Sequence, residues 1–365
     1  MGHAQLDEWL QLLTRTGGSD LHLKVGSPPR MRVNGSLVRI AGADPITAEV
    51  AEAMAFAVMR ADLKESFLAT HEADCAYSVS GLGRFRVNVF RQRGTIGMIM
   101  RRVLTSVPSF EGLGLPDAVA RLASEQRGLV LVTGPTGSGK TTTLAAMIDF
   151  INRHRECHIV TIEDPVEVLH KDDLASINQR EVGFDTLGFA AAMRSAMRQD
   201  PDVILVGEMR DLETVSAALS AAETGHLVFS TLHTIDAKET ITRIIDFFPP
   251  HQHNQVRSTL AGSLRGTVCQ RLVPSADGTS RVAAVEVMIM SGRIQQYILD
   301  PANAPDLAEM IADGEYYGMQ TFDQALAALF EKGRIDLRGA LVAASNPHDL
   351  KVLLQQRGLV SSGLR

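Results

Sequence analysis

Gly134, Pro135, Thr136, Gly137, Ser138, Gly139, Lys140 and Thr141 spell GPTGSGKT, a spacing able to hold a chain of phosphates. Glycines let successive backbone N–H groups turn inward as an anion nest, and the N-terminus of a following helix adds its dipole. Lys140 can reach the outer phosphates, Thr141 offers a hydroxyl to Mg2+, and Thr142 follows it on the phosphate side. GLVLVTG leads into the loop and TTLAAMIDFINRH leaves it. That strand-then-helix context separates a working loop from a chance match of eight residues. The expected ligand is a nucleoside triphosphate.

Hydrolysis of its terminal phosphate needs an in-line water, a carboxylate to orient or deprotonate that water, and cations against the developing charge. Candidates stand where apolar runs end. HIVTIEDPVE ends in Glu163, Asp164 and Glu167, DVILVGEMRD in Glu208, Arg210 and Asp211, and HLVFSTLHT in Thr231, His233 and Thr234. One polar strand end is ordinary, but in open α/β sheets ligands bind beyond the carboxyl ends of the strands. Glu208 suits the Mg2+ shell. Many phosphate-loop ATPases carry Asp-Glu there, whereas this chain has Gly207-Glu208. Metal binding would rely on Thr141 with Glu208, through water. Glu167 or Glu163 is the candidate for activating the attacking water. A helix cap or loop ion pair is the plainer reading of Glu163 and Asp164.

These residues need a scaffold. From about residue 117 the pattern is strand–helix alternation through GLVLVTG, HIVTIEDP, DVILVGE and HLVFSTLH. Apolar runs of this kind suit a parallel sheet covered on both faces. The expected core spans residues 117–290, and 291–365 reads as helical. In that last part Thr321-Phe322-Asp323-Gln324 is a capping-box pattern and Asn346-Pro347 starts a helix. Residues 1–103 read as a small α/β module. DLHLKVG and PRMRVNGSLVRI alternate like strands, with a turn at Asn34-Gly35, and ITAEVAEAMAFAVMRADLKESFLAT has helical spacing behind Thr47 as N-cap. CAYSVSG, GRFRVNVFRQR and GTIGMIMRRV form an expected meander. Pro108, Gly112, Gly114 and Pro116 punctuate 104–116, the expected linker. The fold class is α/β: a small N-terminal α/β domain, a phosphate-loop core and C-terminal helices.

The chain has 365 residues and a formal net charge of −6, with a sequence pI of about 6.0. That balance does not favour a nucleic-acid-binding surface. Cys75, Cys157 and Cys269 are isolated, with no CxxC pair. This argues against zinc and for a reducing compartment. No run of about 18 apolar residues occurs, and the N-terminus lacks the apolar stretch of a signal peptide. The expectation is a soluble, cytoplasmic protein that can dock onto a membrane machine.

GPTGSGKTTT, TIEDPVE, RSAMRQDPDVILVGEMRD and ETGHLVFSTLHT resemble, in order and spacing, the Walker A, Asp box, Walker B and His box of secretion ATPases. Within that superfamily the chain resembles the type IV pilus retraction motors PilT and PilU. The resemblance extends to SDLHLKVGSPPRMRVNG, RFRVNVFRQRG and GMQTFDQ, so it covers nearly the whole chain, and Gly207 agrees with it. It implies a RecA-like core, a PAS-like N-terminal domain and a homo-hexameric ring whose sites form between domains. ATP and Mg2+ are the implied cofactors. A PilT-type partner ring and the inner-membrane platform protein are the implied partners, at the cytoplasmic base of the pilus. Carried over by position, Glu167 would be the catalytic glutamate, Glu208 the Walker B residue, and His226 and His233 the His-box pair. If the run from His226 to His233 were a single strand, its ends would lie roughly 23 Å apart at about 3.3 Å per residue. His233 is therefore expected near the nucleotide and His226 at the opposite end, bridging subunits; a hydrogen-bonded loop histidine is the plainer reading of His226. Arg86 and Arg101 occupy the positions of the family's γ-phosphate arginines, although a polar sheet face would explain them equally. Arg194 and Arg198, one helical turn apart, read as a solvated stripe.

The resemblance breaks at one place. PilT proteins usually carry AIRNLIRE, needed for retraction, where this chain reads RIQQYILD from Arg293 to Asp300. Ile294 and Ile298 keep the amphipathic shape while the charged residues are lost. The departure, with YYGMQTFDQALAALFEKG downstream, leans toward PilU, the accessory retraction ATPase, over a PilT-like principal motor. A non-hydrolysing nucleotide sensor would have no chemical need for Lys140, Glu167 and Glu208 together. Pilus-extension and type II secretion relatives typically carry a long N-terminal region and a tetracysteine zinc site, both missing here. A nucleic-acid motor would want a basic pore or stacking aromatics, and neither stands out.

Overall fold

Apolar and polar residues alternate in the strand-forming stretches of the first hundred positions, and the product is an antiparallel sheet. In the computed structural model, which describes residues 2–33 and 35–361, its strands are β1 (Asp20–Lys24), β2 (Arg30–Val33), β3 (Ser36–Arg39), β4 (Glu72–Val79), β5 (Gly83–Gln92) and β6 (Thr95–Arg102). They lie in the order β3-β2-β1-β6-β5-β4. On β5, Phe85, Val87 and Val89 are buried while Arg84, Arg86 and Asn88 stay half-buried on the other face. Helices α1 (Gly2–Arg15) and α2 (Ala48–Val58) bring Leu6, Leu10, Leu13 and Met54 to the same core as those apolar residues. Thr47 caps α2 by accepting from the Val50 N–H. The helical stretch then breaks, because Met59 and Arg60 are extended, and resumes as α3 (Ala61–Thr70). β2 and β3 pair around the expected Asn34-Gly35 turn, of which Asn34 lies outside the described residues. This first unit runs to Thr105 and also takes in Glu167–Leu169, whose Val168 bridges to Leu104.

The second unit comprises Ser106–Val166 and the chain from His170. Its strands are β7 (Gly128–Thr133), β8 (His158–Glu163), β9 (Ser176–Glu181), β10 (Val203–Val206), β11 (Leu227–Leu232), β12 (Leu264–Pro274) and β13 (Arg281–Ile289). The order is β13-β12-β7-β11-β10-β8-β9. Every neighbouring pair is parallel except β12 with β13. β7, β10 and β11 are buried at every residue. Alternate side chains enter two different cores, Leu129 and Leu131 on one side of β7 and Val130 and Val132 on the other. Two-sided burial is why these runs read as unbroken apolar stretches.

Helices α4 (Phe110–Leu113), α5 (Asp117–Ala123) and α6 (Lys140–His154) serve the Val130 side, and α7 (Phe189–Ala196), α8 (Leu212–Glu223), α9 (Ala237–Asp246) and α10 (His253–Ser263) the Leu129 side. The C-terminal helices α11 (Gly292–Leu299), α12 (Leu307–Ala312), α13 (Phe322–Glu331), α14 (Leu337–Ala343) and α15 (Pro347–Gln356) join the Leu129 core through Ile294, Ile298, Phe322, Leu326 and Leu350. The Thr321–Gln324 capping box and the Asn346 cap are both present. Strand–helix alternation did not anticipate β9, β12 and β13. β9 is a polar edge strand, and β12 carries Gln270 and Arg271 inside an apolar run. The punctuated stretch 104–116 holds α4, whose Phe110 ring lies 5.3 Å from that of Phe150.

Candidate nucleotide site

Three glycines shape the loop beyond β7: Gly134, Gly137 and Gly139 have φ of 140°, 79° and 93°. L-residues with a Cβ rarely adopt such angles. Two of the three also lack room. A Cβ at Gly134 would collide with the Gln270 carbonyl, and one at Gly139 would meet Gln270 Nε2 at 2.8 Å. Gly139 is the N-cap of α6 and provides no side-chain cap, so the first N–H groups of the helix face the loop. Pro135, Thr136 and Gly137 are exposed, as are the Thr141 and Thr142 side chains, whereas Ser138 is buried and its hydroxyl has no partner among the described residues. Lys140 is 9% exposed, and its ammonium donates to the carbonyls of Gly134 (2.7 Å) and Pro135 (3.1 Å). Burial draws its pKa below the usual lysine range, while the Glu208 carboxylate works in the opposite direction.

Glu208 stands just past β10, with its side chain only 13% exposed. Arg210 Nη2 lies 2.7 Å from one of its oxygens and His233 Nε2 3.6 Å from the other. The neighbouring Gly207 explains the missing aspartate. A Cβ there would lie 3.2 Å from the Ile162 carbonyl and 3.4 Å from Glu163 Cα, so the end of β8 leaves little space for a larger residue. The strand ends are also stitched together. Thr231 Oγ1 donates to the Gly207 carbonyl at 2.7 Å and Ser230 Oγ to Val206 at 2.8 Å. Beyond β11, Thr234 and Thr240 share a hydrogen bond of 2.7 Å, and Thr240 Oγ1 reaches Thr133 Oγ1 at 3.5 Å. Lys140, Glu208, Arg210 and His233 are thus carried by the ends of three adjacent strands, β7, β10 and β11.

Glu163 ends β8 and is buried, its Oε1 accepting from Thr161 Oγ1 (2.6 Å) and Gln179 Nε2 (3.1 Å). Glu167 is exposed and belongs to the segment that pairs with Leu104 in the first unit. His226 lies at the start of β11, at the other end from His233, and its Nδ1 is within 3.0 Å of the Ala221 carbonyl and 3.3 Å of Thr224 Oγ1. Arg194 pairs with Glu213 at 3.5 Å, and Arg198 donates to the Arg194 carbonyl on an exposed surface. In the first unit Arg86 and Arg101 are direct cross-strand partners. Arg101 Nε lies 2.7 Å from Asp20 Oδ1, and Asp20 is buried. Burial alone would raise the Asp20 pKa, but the Ser19 hydroxyl and the Arg101 guanidinium together hold it below the usual range.

Three of these residues escape motif reasoning. Asp20 sits in SDLHL, where strand alternation puts it on the polar face, but nothing nearby in sequence points to Arg101. Gln270 is a lone amide in TVCQRLV. Glu286 on β13 accepts from the Ala237 N–H at 2.9 Å and so holds the start of α9. Burial pushes its pKa up to about 7 against that hydrogen bond. A polar residue inside an otherwise apolar run is the only local signal that Gln270 and Glu286 give, and Asp20, the first residue of its strand, gives none beyond the alternation.

The type II/IV secretion system protein family matches residues 89–315. The type IV pilus retractation ATPase PilT of Pseudomonas aeruginosa is 45% identical over 344 residues, covering 94% of this chain and 99% of that protein. The type IV pilus ATPase PilU of the same organism is 40% identical over 363 residues, covering 96% and 91%. A crystal structure of the pilus retraction motor PilT with bound ADP superimposes with a TM-score of 0.85 at 43% identity, covering 94% of this chain and 98% of that one. Among the described residues no helix is long and apolar enough to cross a membrane.

Proposed function

The chain belongs to the type II/IV secretion system protein family, among its PilT and PilU type IV pilus ATPases, and from that premise we propose that it is an ATP hydrolase powering pilus retraction. The observation that carries this reading is the Glu208 carboxylate, held by Arg210 and set beside His233, beyond a glycine-shaped loop that leads into the N-terminus of α6, where no side chain caps the first N–H groups. The loop and Lys140 would grip the phosphates. The exposed Thr141 hydroxyl and Glu208 are the donors that fit Mg2+, which when bound supplies positive charge against the phosphoryl oxygens. We assign activation of the attacking water to Glu167, because Glu163 Oε1 already accepts two hydrogen bonds.

Assembly as a homo-hexamer, action beside a PilT-type ring on the inner-membrane platform protein, and a cytoplasmic location at the pilus base belong to the same proposal. So do a bridging role for His226 and contact of Arg86 and Arg101 with the γ-phosphate. The accessory, PilU-like assignment rests on α11. There Ile294 and Ile298 are buried while Gln295, Gln296 and Leu299 are exposed, so the two arginine positions of AIRNLIRE carry no charge here, while Arg293 and Asp300 remain exposed at the ends of the stretch. Steady-state phosphate release tests the enzyme. The wild-type chain should turn over ATP only with Mg2+, and Glu208→Gln should fall by a factor on the order of 100. Equal background rates for both would favour a nucleotide sensor instead.

A further inference from the structure

One residue of β12 lies beneath both ends of the phosphate loop. Gln270 is 3% exposed and follows Cys269, which pairs in register with Thr133 at the end of β7. Its backbone carbonyl occupies the space a side chain at Gly134 would need, and its Nε2 the space a side chain at Gly139 would need. The amide is also fixed in orientation. Thr143 Oγ1, in the first turn of α6, donates to Gln270 Oε1 at 2.8 Å, and accepting that bond turns Nε2 toward Gly139. A buried amide without such a partner would be destabilising.

We propose that Gln270 is a positioning residue for phosphate binding, whose amide, locked by Thr143, holds Gly139 and the first N–H groups of α6 at the spacing a phosphate requires. The inference rests on the loop being the nucleotide site. It differs from simple packing in one respect: methionine has nearly the volume of glutamine, so a space-filling role would survive Gln270→Met, whereas a role exerted through the amide would not.

The test is calorimetric titration of ADP into the full chain as wild type, Gln270→Met, Gln270→Glu and Thr143→Val, with thermal unfolding followed in parallel. Gln270→Met and Thr143→Val should each bind ADP about tenfold more weakly, a loss comparable to one buried hydrogen bond. Their double variant should be no weaker than either single one, because both remove the same bond. Gln270→Glu sets a carboxylate against Gly139, so it should bind more weakly still at pH 8 and recover as acidification neutralises it. Wild-type affinity in a folded Gln270→Met would overturn the proposal while leaving the loop as the phosphate site. Should that variant fail to fold, wild-type affinity in Thr143→Val would overturn it equally. Failure of the wild-type chain to bind ADP would sink both readings.

Discussion

Arg86 and Arg101 face each other across β5 and β6, yet their surroundings differ. Arg101 is tethered through Nε to the buried Asp20, which leaves the outer guanidinium nitrogens to point elsewhere. Arg86 has Ala76 as its other cross-strand neighbour. If Arg86 touches the γ-phosphate, its charge matters most as the phosphoryl group transfers. Arg86→Ala should then lower kcat by a factor on the order of 100 or more, with ATP affinity changed by only about threefold. Unchanged turnover would remove the role. At this scale the loop's position and its glycine-dependent shape were legible in the sequence, because Gly134, Gly137, Gly139 and Lys140 fall within eight consecutive residues. Thr143 and Gln270 were not, since 127 positions separate them. Nor were Asp20 and Arg101, which lie 81 apart.

The elements that carry the site are held by buried polar contacts between neighbours, and the start of α9 depends on a carboxyl from β13. Glu286 is buried, and its pKa is raised from an ordinary 4.5 to about 7. A raised carboxyl pKa means that the folded chain keeps a proton the unfolded chain releases, so its favourable contribution is complete below pH 4.5 and is lost as pH climbs through 7. Glu286→Gln remains neutral and still offers an oxygen to the Ala237 N–H. Its stability relative to wild type should therefore rise between pH 5 and pH 8, by up to about 3 kcal/mol. Denaturant unfolding at the two pH values gives the answer, and an identical difference at both would refute it. β7, β10 and β11 declared themselves through continuous apolar runs. β12 did not, because Gln270 and Arg271 interrupt its apolar run, and β13 did not, because it follows β12 with no helix between them and pairs with it antiparallel, which breaks the alternation from which the others were read.

For the molecule as a whole, a retraction motor must consume ATP to act. A strain lacking this chain should carry excess surface pili and twitch less, and a Lys140→Ala allele should fail to restore it. Full rescue by that allele would make the chain a scaffold. Counting surface pili and measuring twitching zones decides between them. RIQQYILD bears on the same scale: the buried Ile294 and Ile298 preserve α11 as an element, and it differs from AIRNLIRE both at the exposed Gln295, Gln296 and Leu299 and at the buried Tyr297. GPTGSGKT, the apolar runs and the order of boxes after them determined, from sequence alone, where a phosphate-binding type of loop lies, that a parallel sheet presents it, and which family the chain resembles. Those signals are local, since phosphate cradling and two-sided burial are properties of short contiguous segments. Tertiary structure alone decided which groups support the loop and the acidic centre: Gln270 under Gly139, Arg210 and His233 about Glu208, and Asp20 behind Arg101. Arg210 shares a strand end with Glu208, whereas for Gln270 and Asp20 the partners meet only once the sheets have set strand order and register.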